Sequence, residues 1–254
     1  MKNDRKYRVL AIEEDLDFGC EERMAAARMA VVTLQEESGV KVQKKQPDEM
    51  LYERGIEPGD TVYFDREGRL QKPKMVYFVR HGETIWNVEN KICGSTDIEL
   101  TARGHEQAIE TGRQILKAGI KADAILYSPL VRAAETARHI SEITGILRRE
   151  EPRLTEQNFG IWEGTARNGD AFKKEKEKFA CRYGTGESML HLAQRVYNLL
   201  DEIRREDRTY ILVAHNGISR VVQSYFTDMT NAEYAAFGIR NCQIVAYDFN
   251  SPIS

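Results

Sequence analysis

The sequence predicts an α/β domain, a mostly parallel sheet with helices on both faces, preceded by a small β-rich, barrel-like unit. Three observations predict it. From Lys74 onward, short runs of β-branched and aromatic residues alternate with helical stretches, the pattern of strands buried on both faces of a parallel sheet. Before Lys74, strand-like runs follow one another at close spacing, separated by Gly, Pro and Asp turns. Two of the buried runs in the second part end in histidine with glycine close behind, at His81-Gly82 and His215-Asn216-Gly217. Such strands deliver polar groups to the carboxyl edge of the sheet, where open α/β sheets bind ligands. The division reads as 1–73 for the β-rich unit, of unknown role, and 74–254 for the α/β domain.

The first unit opens with a strand at Tyr7 to Ile12 and a loop around Gly19-Cys20-Glu21-Glu22. Met29 to Gln35 and Val40 to Lys44 are two further strands, and Glu37-Ser38-Gly39 between them has hairpin chemistry. Pro47 to Arg54 reads as one or two helical turns, with proline at the start and Gly55 just past the end. Pro58-Gly59-Asp60 is a turn, Thr61 to Phe64 a strand, and Asp65 to Gly68 another turn.

In the second unit, Lys74 to Val79 forms the first buried strand. A helix starts after Thr101, its candidate N-cap, with Ala108, Gly112, Ile115, Leu116 and Gly119 on one face. Ala124 to Tyr127 is a strand. Ser128-Pro129 opens a helix carrying Val131, Ala134, Ala137 and Ile140, which Gly145 ends. Residues 146–164 are extended or looped, and Ala171 to Phe179 is a short charged helix. Glu187 to Arg205 is amphipathic through Leu192, Val196, Leu199, Leu200 and Ile203. Tyr210 to Ala214 is a third buried strand, followed by a helix with Ile218, Val221, Val222 and Tyr225, and Ile244 to Phe249 is the last strand.

Composition narrows the function. The 254 residues are 41% hydrophobic and 30% charged, with a net charge of -3. Neither unit is basic, which argues against a nucleic-acid partner. No apolar run approaches the roughly 18 residues of a membrane span, and the short run Val9 to Ile12 does not make a signal-peptide core. Cys20, Cys93, Cys181 and Cys242 are scattered without a C-x-x-C pair. Reduced thiols in a cytoplasmic protein are the expectation.

The strand ends carry the chemistry. Neighbouring strands put His81 and His215 side by side, with Arg80 adjacent and Arg132 early in the helix that follows Ser128-Pro129. Two imidazoles and two guanidinium groups make an oxyanion pocket suited to a phosphoryl group. Arg80-His81-Gly82-Glu83-Thr84 with Trp86-Asn87, Leu100-Thr101 through Gly104 to Gln107-Ala108, and Ser128-Pro129-Leu130 with Arg132-Ala133 and Thr136-Ala137 then follow in order. Leu154, Glu156 and Phe159-Gly160 with Trp162-Glu163-Gly164, then Gly186-Glu187-Ser188 and Ala214-His215-Asn216-Gly217, complete the series. Over about residues 74–250 this resembles the histidine phosphatase, or phosphoglycerate mutase-like, superfamily.

The resemblance implies that His81 is the nucleophile and forms a phosphohistidine. It implies that Arg80, Arg132 and His215 hold the phosphoryl oxygens, and that Glu156 is general acid and then base. Asn87, Cys93, Gly94 and Asn216 would line the substrate pocket. No metal and no other cofactor is implied, because the cationic side chains do the charge work. Cys93 has two readings, a reactive thiol or a small buried filler. Glu163 and Glu187 read as structural or supporting carboxylates, and His105, His139 and His191 as surface or capping residues.

Mutases of the family carry an Arg-Arg pair in an insertion after the acid segment; Thr165 to Gly186 here has none. Phe159 also stands where mutase relatives carry a tyrosine. The sequence thus favours a phosphomonoesterase acting on a small phosphorylated metabolite, resembling the cobalamin-pathway and fructose-bisphosphate phosphatases. A cofactor-dependent phosphoglycerate mutase is the alternative. A third reading is a non-catalytic regulatory or binding protein that uses the fold as a scaffold, prompted by the extra N-terminal unit. A homodimer is compatible with the sequence but not derivable from it.

Overall fold

The computed structural model describes residues 5–15 and 28–250; the loop expected around Gly19-Cys20-Glu21-Glu22 lies outside them. The chain divides into two compact units, Met1–Pro73 and Lys74–Ser254.

The first unit contains β1 (Tyr7–Glu14), β2 (Met29–Glu36), β3 (Lys41–Pro47), α1 (Asp48–Glu53), β4 (Thr61–Phe64) and β5 (Leu70–Gln71). Every pairing is antiparallel, in the order β3-β2-β1-β4-β5. The β2–β3 hairpin forms where the sequence put it, and Gly39 takes the positive φ of 87° that its turn requires. Alternate residues Ala30, Val32 and Leu34 of β2 join Val9, Val62, Leu70 and the α1 residues Met50 and Leu51 in one core. Strand β5 was missed, being only two residues long. The barrel expectation needs correction. No backbone ladder joins the edge strands β3 and β5 among the described residues. Instead Gln46, 5% exposed, donates through Nε2 to the Gly68 carbonyl (3.1 Å) and accepts the Leu70 N–H at Oε1 (3.0 Å). One carboxamide stands in for the missing rung.

The second unit runs β6 (Met75–Arg80), α2 (Ile85–Val88), α3 (Ala102–Lys117), β7 (Ala124–Tyr127), α4 (Val131–Thr144) and β8 (Arg148–Glu150). It continues through α5 (Asp170–Lys176), α6 (Met189–Arg205), β9 (Tyr210–Ala214), α7 (Asn216–Phe226), α8 (Asn231–Ala236) and β10 (Ile244–Asp248). The sheet order is β10-β6-β9-β7-β8, parallel throughout except at β10, which runs antiparallel to β6. The pleat sends successive side chains to opposite faces. Phe78, Leu212 and Ala214 pack with Leu192, Val196 and Leu199 of α6 and Ile218 and Val222 of α7. Val79, Ile211 and Val213 pack with Ile115 of α3 and Ala133, Ala137 and Ile140 of α4. This is the α/β sandwich that the sequence predicts, with β6 and β9 adjacent inside the sheet.

The helix ends follow their chemistry. Thr101 accepts the Gly104 N–H as N-cap of α3, Ser188 accepts the His191 N–H as N-cap of α6, and Gly145 closes α4 with φ of 74°. Leu116 departs from the expected α3 face and is 54% exposed. At about 100° per residue it falls roughly 80° from Ala108, at the rim of the apolar stripe.

Candidate active site

Strands β6 and β9 pair in parallel with Arg80 opposite Ala214. One further rung, from His81 N–H to the Ala214 carbonyl at 2.9 Å, fixes where the chain leaves the sheet. His81 and His215 therefore emerge side by side, their ring centroids 5.1 Å apart and both buried.

His81 Nδ1 lies 2.7 Å from the Gly82 carbonyl. A carbonyl only accepts, so Nδ1 carries the hydrogen and Nε2 keeps its lone pair. Burial, then the charges of Arg132 and Arg80, hold its pKa well below the ordinary 6.5. His81 is thus a neutral imidazole whose hydrogen sits on Nδ1 and whose Nε2 keeps its lone pair.

His215 is tied at both ring nitrogens. Arg132 Nε donates to Nδ1 at 3.2 Å, so Nε2 carries the hydrogen and donates to Ser128 Oγ at 2.7 Å. Its pKa is also held well below 6.5, by burial and then by Arg132. In this arrangement His215 positions Arg132. A hydrogen bond from it to a phosphoryl oxygen requires Ser128 to let go.

Arg132, 1% exposed, donates from Nη1 to the Thr96 carbonyl (2.9 Å) and from Nη2 to the Gly94 carbonyl (2.7 Å). The Gly94–Thr96 turn is itself held by Glu163. That carboxylate accepts the N–H groups of Ser95 (2.9 Å), Thr96 (2.7 Å) and Phe159 (3.0 Å), and both hydroxyls of Ser95 and Thr96. Gly94 has no room for a side chain: a Cβ there would meet Glu163 and the Gln157 carbonyl. Glu163 is accordingly the clamp of this turn, the supporting carboxylate of the sequence reading. Glu187 instead forms a two-pronged pair with Arg195, Oε1 and Oε2 each accepting at 2.8 Å.

Arg80 donates from Nη1 to the Ile239 carbonyl at 2.7 Å, and its Nε is buried without a partner. Burial and the Arg167 charge lower its pKa to about 10. A buried, unpartnered guanidinium N–H is a donor awaiting an anion. Glu156, 5% exposed, accepts the Gln157 N–H and the Gly217 N–H, each at 2.9 Å. Gly217 sits so close that a Cβ would run into that carboxylate.

The remaining residues named from the sequence take supporting places. Asn87 Oδ1 accepts from Thr84 N and from Asn241 Nδ2, each at 3.2 Å. Asn216 Oδ1 accepts the Ile239 N–H at 3.0 Å, which steadies the segment that Arg80 grips. Cys93 is half-buried, and burial pushes its thiol pKa up. That favours the small-filler reading over a reactive thiolate. His191 Nδ1 lies 2.9 Å from Ser188 Oγ, a capping role. His105 and His139 meet each other.

Sequence reasoning missed several neighbours. Ser128 anchors His215, Thr136 Oγ1 accepts the Gly82 N–H at 3.0 Å, and Asn241 donates to the His81 carbonyl at 2.9 Å. Arg167 and Arg220 were also missed, while Lys176 belongs to the Lys173–Lys178 run that the sequence reads as a solvated helix face, part of it able to cover the pocket. Lys176 and Arg220 stand within electrostatic reach of each other, of Arg167 and of Glu156. Burial, then Arg220 and Arg167, pulls the Lys176 ammonium down to about 8. A cleft of about 540 Å³ opens beside Glu156, lined also by Ser95, Arg182, Glu187, His191 and Arg195. His81 and His215 do not line it, so it lies on the Glu156 side of the site.

Comparison with known proteins gives one family. The model of the histidine phosphatase superfamily, branch 1, matches residues 76–252. "Probable phosphoglycerate mutase GpmB" of Escherichia fergusonii is 33% identical over 186 residues, covering 68% of this chain and 84% of that protein. A mycobacterial glucosyl-3-phosphoglycerate phosphatase, solved with VO3, superposes with a TM-score of 0.61 at 27% identity, covering 68% of this chain and 90% of that one. A structure named mycobacterial hydrolase 1 gives a TM-score of 0.62 at 26% identity, covering 69% and 91%. The matched span takes in every strand of the second sheet except the first residue of β6, and Arg80, His81, Arg132, Glu156 and His215. This chain belongs to the histidine phosphatase superfamily, branch 1.

Proposed function

We propose that residues 74–254 form a phosphomonoesterase that hydrolyses a small phosphorylated metabolite bearing a second negative group. The observation that carries this is the state of His81: neutral, buried, its Nδ1 tied to Gly82, with the unpartnered Nε of Arg80 next to it in sequence. Nε2 attacks phosphorus as the ester P–O bond breaks, and Glu156 gives its proton to the leaving oxygen. Water then attacks the phosphohistidine, Glu156 takes the water's proton, and the P–N bond breaks. Arg80 and the unused N–H groups of Arg132 stabilise the equatorial oxygens. These guanidinium groups supply the positive charge, which supports a metal-independent reaction.

The second negative group is inferred from Arg167, Lys176 and Arg220, cations in excess of the carboxylates they face. The phosphatase reading, with water as acceptor, is supported by the missing Arg-Arg pair and by the names of the phosphatase and hydrolase structures. The free thiols of Cys93, Cys181 and Cys242 support a cytoplasmic setting. No described helix is long and apolar enough to cross a membrane.

The test is phosphate release from p-nitrophenyl phosphate at mildly acidic pH, followed by a screen of phosphorylated metabolites. His81→Ala is expected to lower the rate by at least about 10⁴-fold. Equal rates would leave a non-catalytic scaffold. The name of the mutase relative favours a second reading, phosphoglycerate mutase. Prompt formation of 2-phosphoglycerate from 3-phosphoglycerate and 2,3-bisphosphoglycerate, without net phosphate release, would establish that reading instead.

A further inference from the structure

We propose that His105, Glu135 and His139 form a zinc site that clips α3 to α4. His105 lies in the first turn of α3, and Glu135 and His139 are four residues apart on α4, hence on one face of that helix. His105 Nδ1 and His139 Nε2 approach to 2.9 Å, and one ligand atom from each of the three side chains lies within 4.8 Å of the others. Two imidazoles on one tetrahedral zinc have nitrogens about 3.3 Å apart, given zinc–nitrogen distances of about 2.05 Å. The pair therefore needs to open by only a few tenths of an ångström to admit the ion. All three residues are half-buried, so the site is shielded yet reachable.

The local charge suits a dication. Arg138 holds the Glu135 carboxylate, Nη2 to Oε2 at 2.8 Å and Nε to Oε2 at 3.1 Å, and donates from Nη1 to Glu142 at 2.7 Å. One guanidinium thus faces two carboxylates. Glu142 also approaches His139, its Oε2 3.9 Å from Nδ1. Arg138 Nη2 lies 3.3 Å from His139 Nε2 and has to withdraw when the ion enters; the Glu142 contact keeps that guanidinium on the surface. Two imidazoles and one carboxylate are a zinc donor set that leaves the fourth position to water, whereas magnesium and calcium take mostly oxygen ligands. None of the three residues is hydrogen-bonded to the His81 constellation. The site therefore acts on stability: an ion that binds the folded chain alone raises its melting temperature.

The test uses the full chain stripped with a chelator. Calorimetric titration is expected to find one Zn²⁺ per chain, and Co²⁺ to give the visible absorption of a tetrahedral site. At a free zinc concentration about 100 times the dissociation constant, the melting temperature is expected to rise by about 5 °C. His105→Gln and His139→Gln each lose the ion, the Co²⁺ spectrum and the thermal shift, while metal-free hydrolysis of p-nitrophenyl phosphate is retained. Glu135→Gln, which keeps the side-chain shape, weakens binding without altering the circular dichroism of the fold. Zinc bound equally by wild type and both histidine variants would put the ion elsewhere and overturn the proposal, as would the absence of stoichiometric binding in the wild type.

Discussion

Arg132 is 1% exposed and spends three donors on the Gly94 and Thr96 carbonyls and on His215. Lys176, on α5, is half-buried and lies 5.8 Å from the centroid of the Phe172 ring. These two cations typify two regions of the same site. At the ends of β6 and β9 each charged or titratable group is fixed by backbone or by another buried side chain. On the loops and helices around Glu156, each cation is held more loosely: Arg220 Nε and Arg167 Nη2 each donate to a single backbone carbonyl, of Phe237 at 2.7 Å and of Lys91 at 3.1 Å, and Lys176 packs on Phe172. The fixed region suits the phosphoryl group, which every ester shares, and the freer region suits the leaving group, which differs from ester to ester. The two regions should therefore fail in different kinetic parameters.

The sharpest way to break the fixed region is Gly217→Ala. Its methyl group would displace the Glu156 carboxylate, which Gly217 now holds through its own N–H at 2.9 Å. The expected result is a fall in kcat of about 10²-fold, the size of a lost general acid–base contribution, with the melting temperature little changed. Steady-state kinetics with an alkyl and an activated aryl phosphate check it. The aryl ester needs less leaving-group protonation and should lose less. Equal losses for both would mean that Glu156 is not the acid.

The same comparison explains what could be read in the sequence. Arg80-His81-Gly82 and His215-Asn216-Gly217 are local signals: a buried strand must end, and what stands at its end is legible from adjacent letters. Their meeting follows from the parallel pairing of β6 and β9; the alternating pattern implies the parallel sheet, but not that β9 lies between β6 and β7. Arg220 carries no such signal, and for Lys176 the sequence offers only a charged helix face. Their convergence on Glu156 depends on where α5 and α7 come to rest, and nothing in the spacing of residues 176 and 220 encodes it. Gln46 was illegible for a related reason. A carboxamide replacing a ladder rung looks, in the sequence, like any polar residue near a strand end.

Weakening the freer region takes a milder change. Lys176→Met with Arg220→Met keeps the apolar stems and removes two charges. For a substrate with a second anionic group KM should rise about 10-fold, the worth of a partly solvated charged contact, while kcat stays within about 2-fold. For p-nitrophenyl phosphate, which lacks the second group, neither parameter should move. In the wild type, kcat/KM for the doubly charged substrate should decline above pH about 8, as the Lys176 ammonium loses its proton. A uniform loss of kcat on both substrates would place these cations with the fixed region instead.

The smallest effect expected is on stability against pH, and it tests whether the fixed region keeps its imidazoles neutral. His81 and His215 have folded-state pKa values well below 6.5, lowered chiefly by burial and then by Arg132. In the unfolded chain each takes up a proton near its ordinary value of 6.5. Above that pH neither state binds the proton, so these residues leave stability flat. Below it the unfolded chain binds more protons than the folded one, and stability falls until the depressed folded value is reached. Each histidine adds at most about 1.4 kcal/mol per pH unit to that slope. Denaturant melts between pH 8 and pH 5 should show the decline beginning near 6.5, and His215→Asn should reduce its slope by up to one proton. Hydrolysis should persist over the same range, because the nucleophile stays unprotonated. A slope that His215→Asn leaves unchanged would mean that this imidazole is protonated in the folded chain. The Arg132 Nε bond to its Nδ1 would then have to be given up, and the fixed region would be looser than its distances imply.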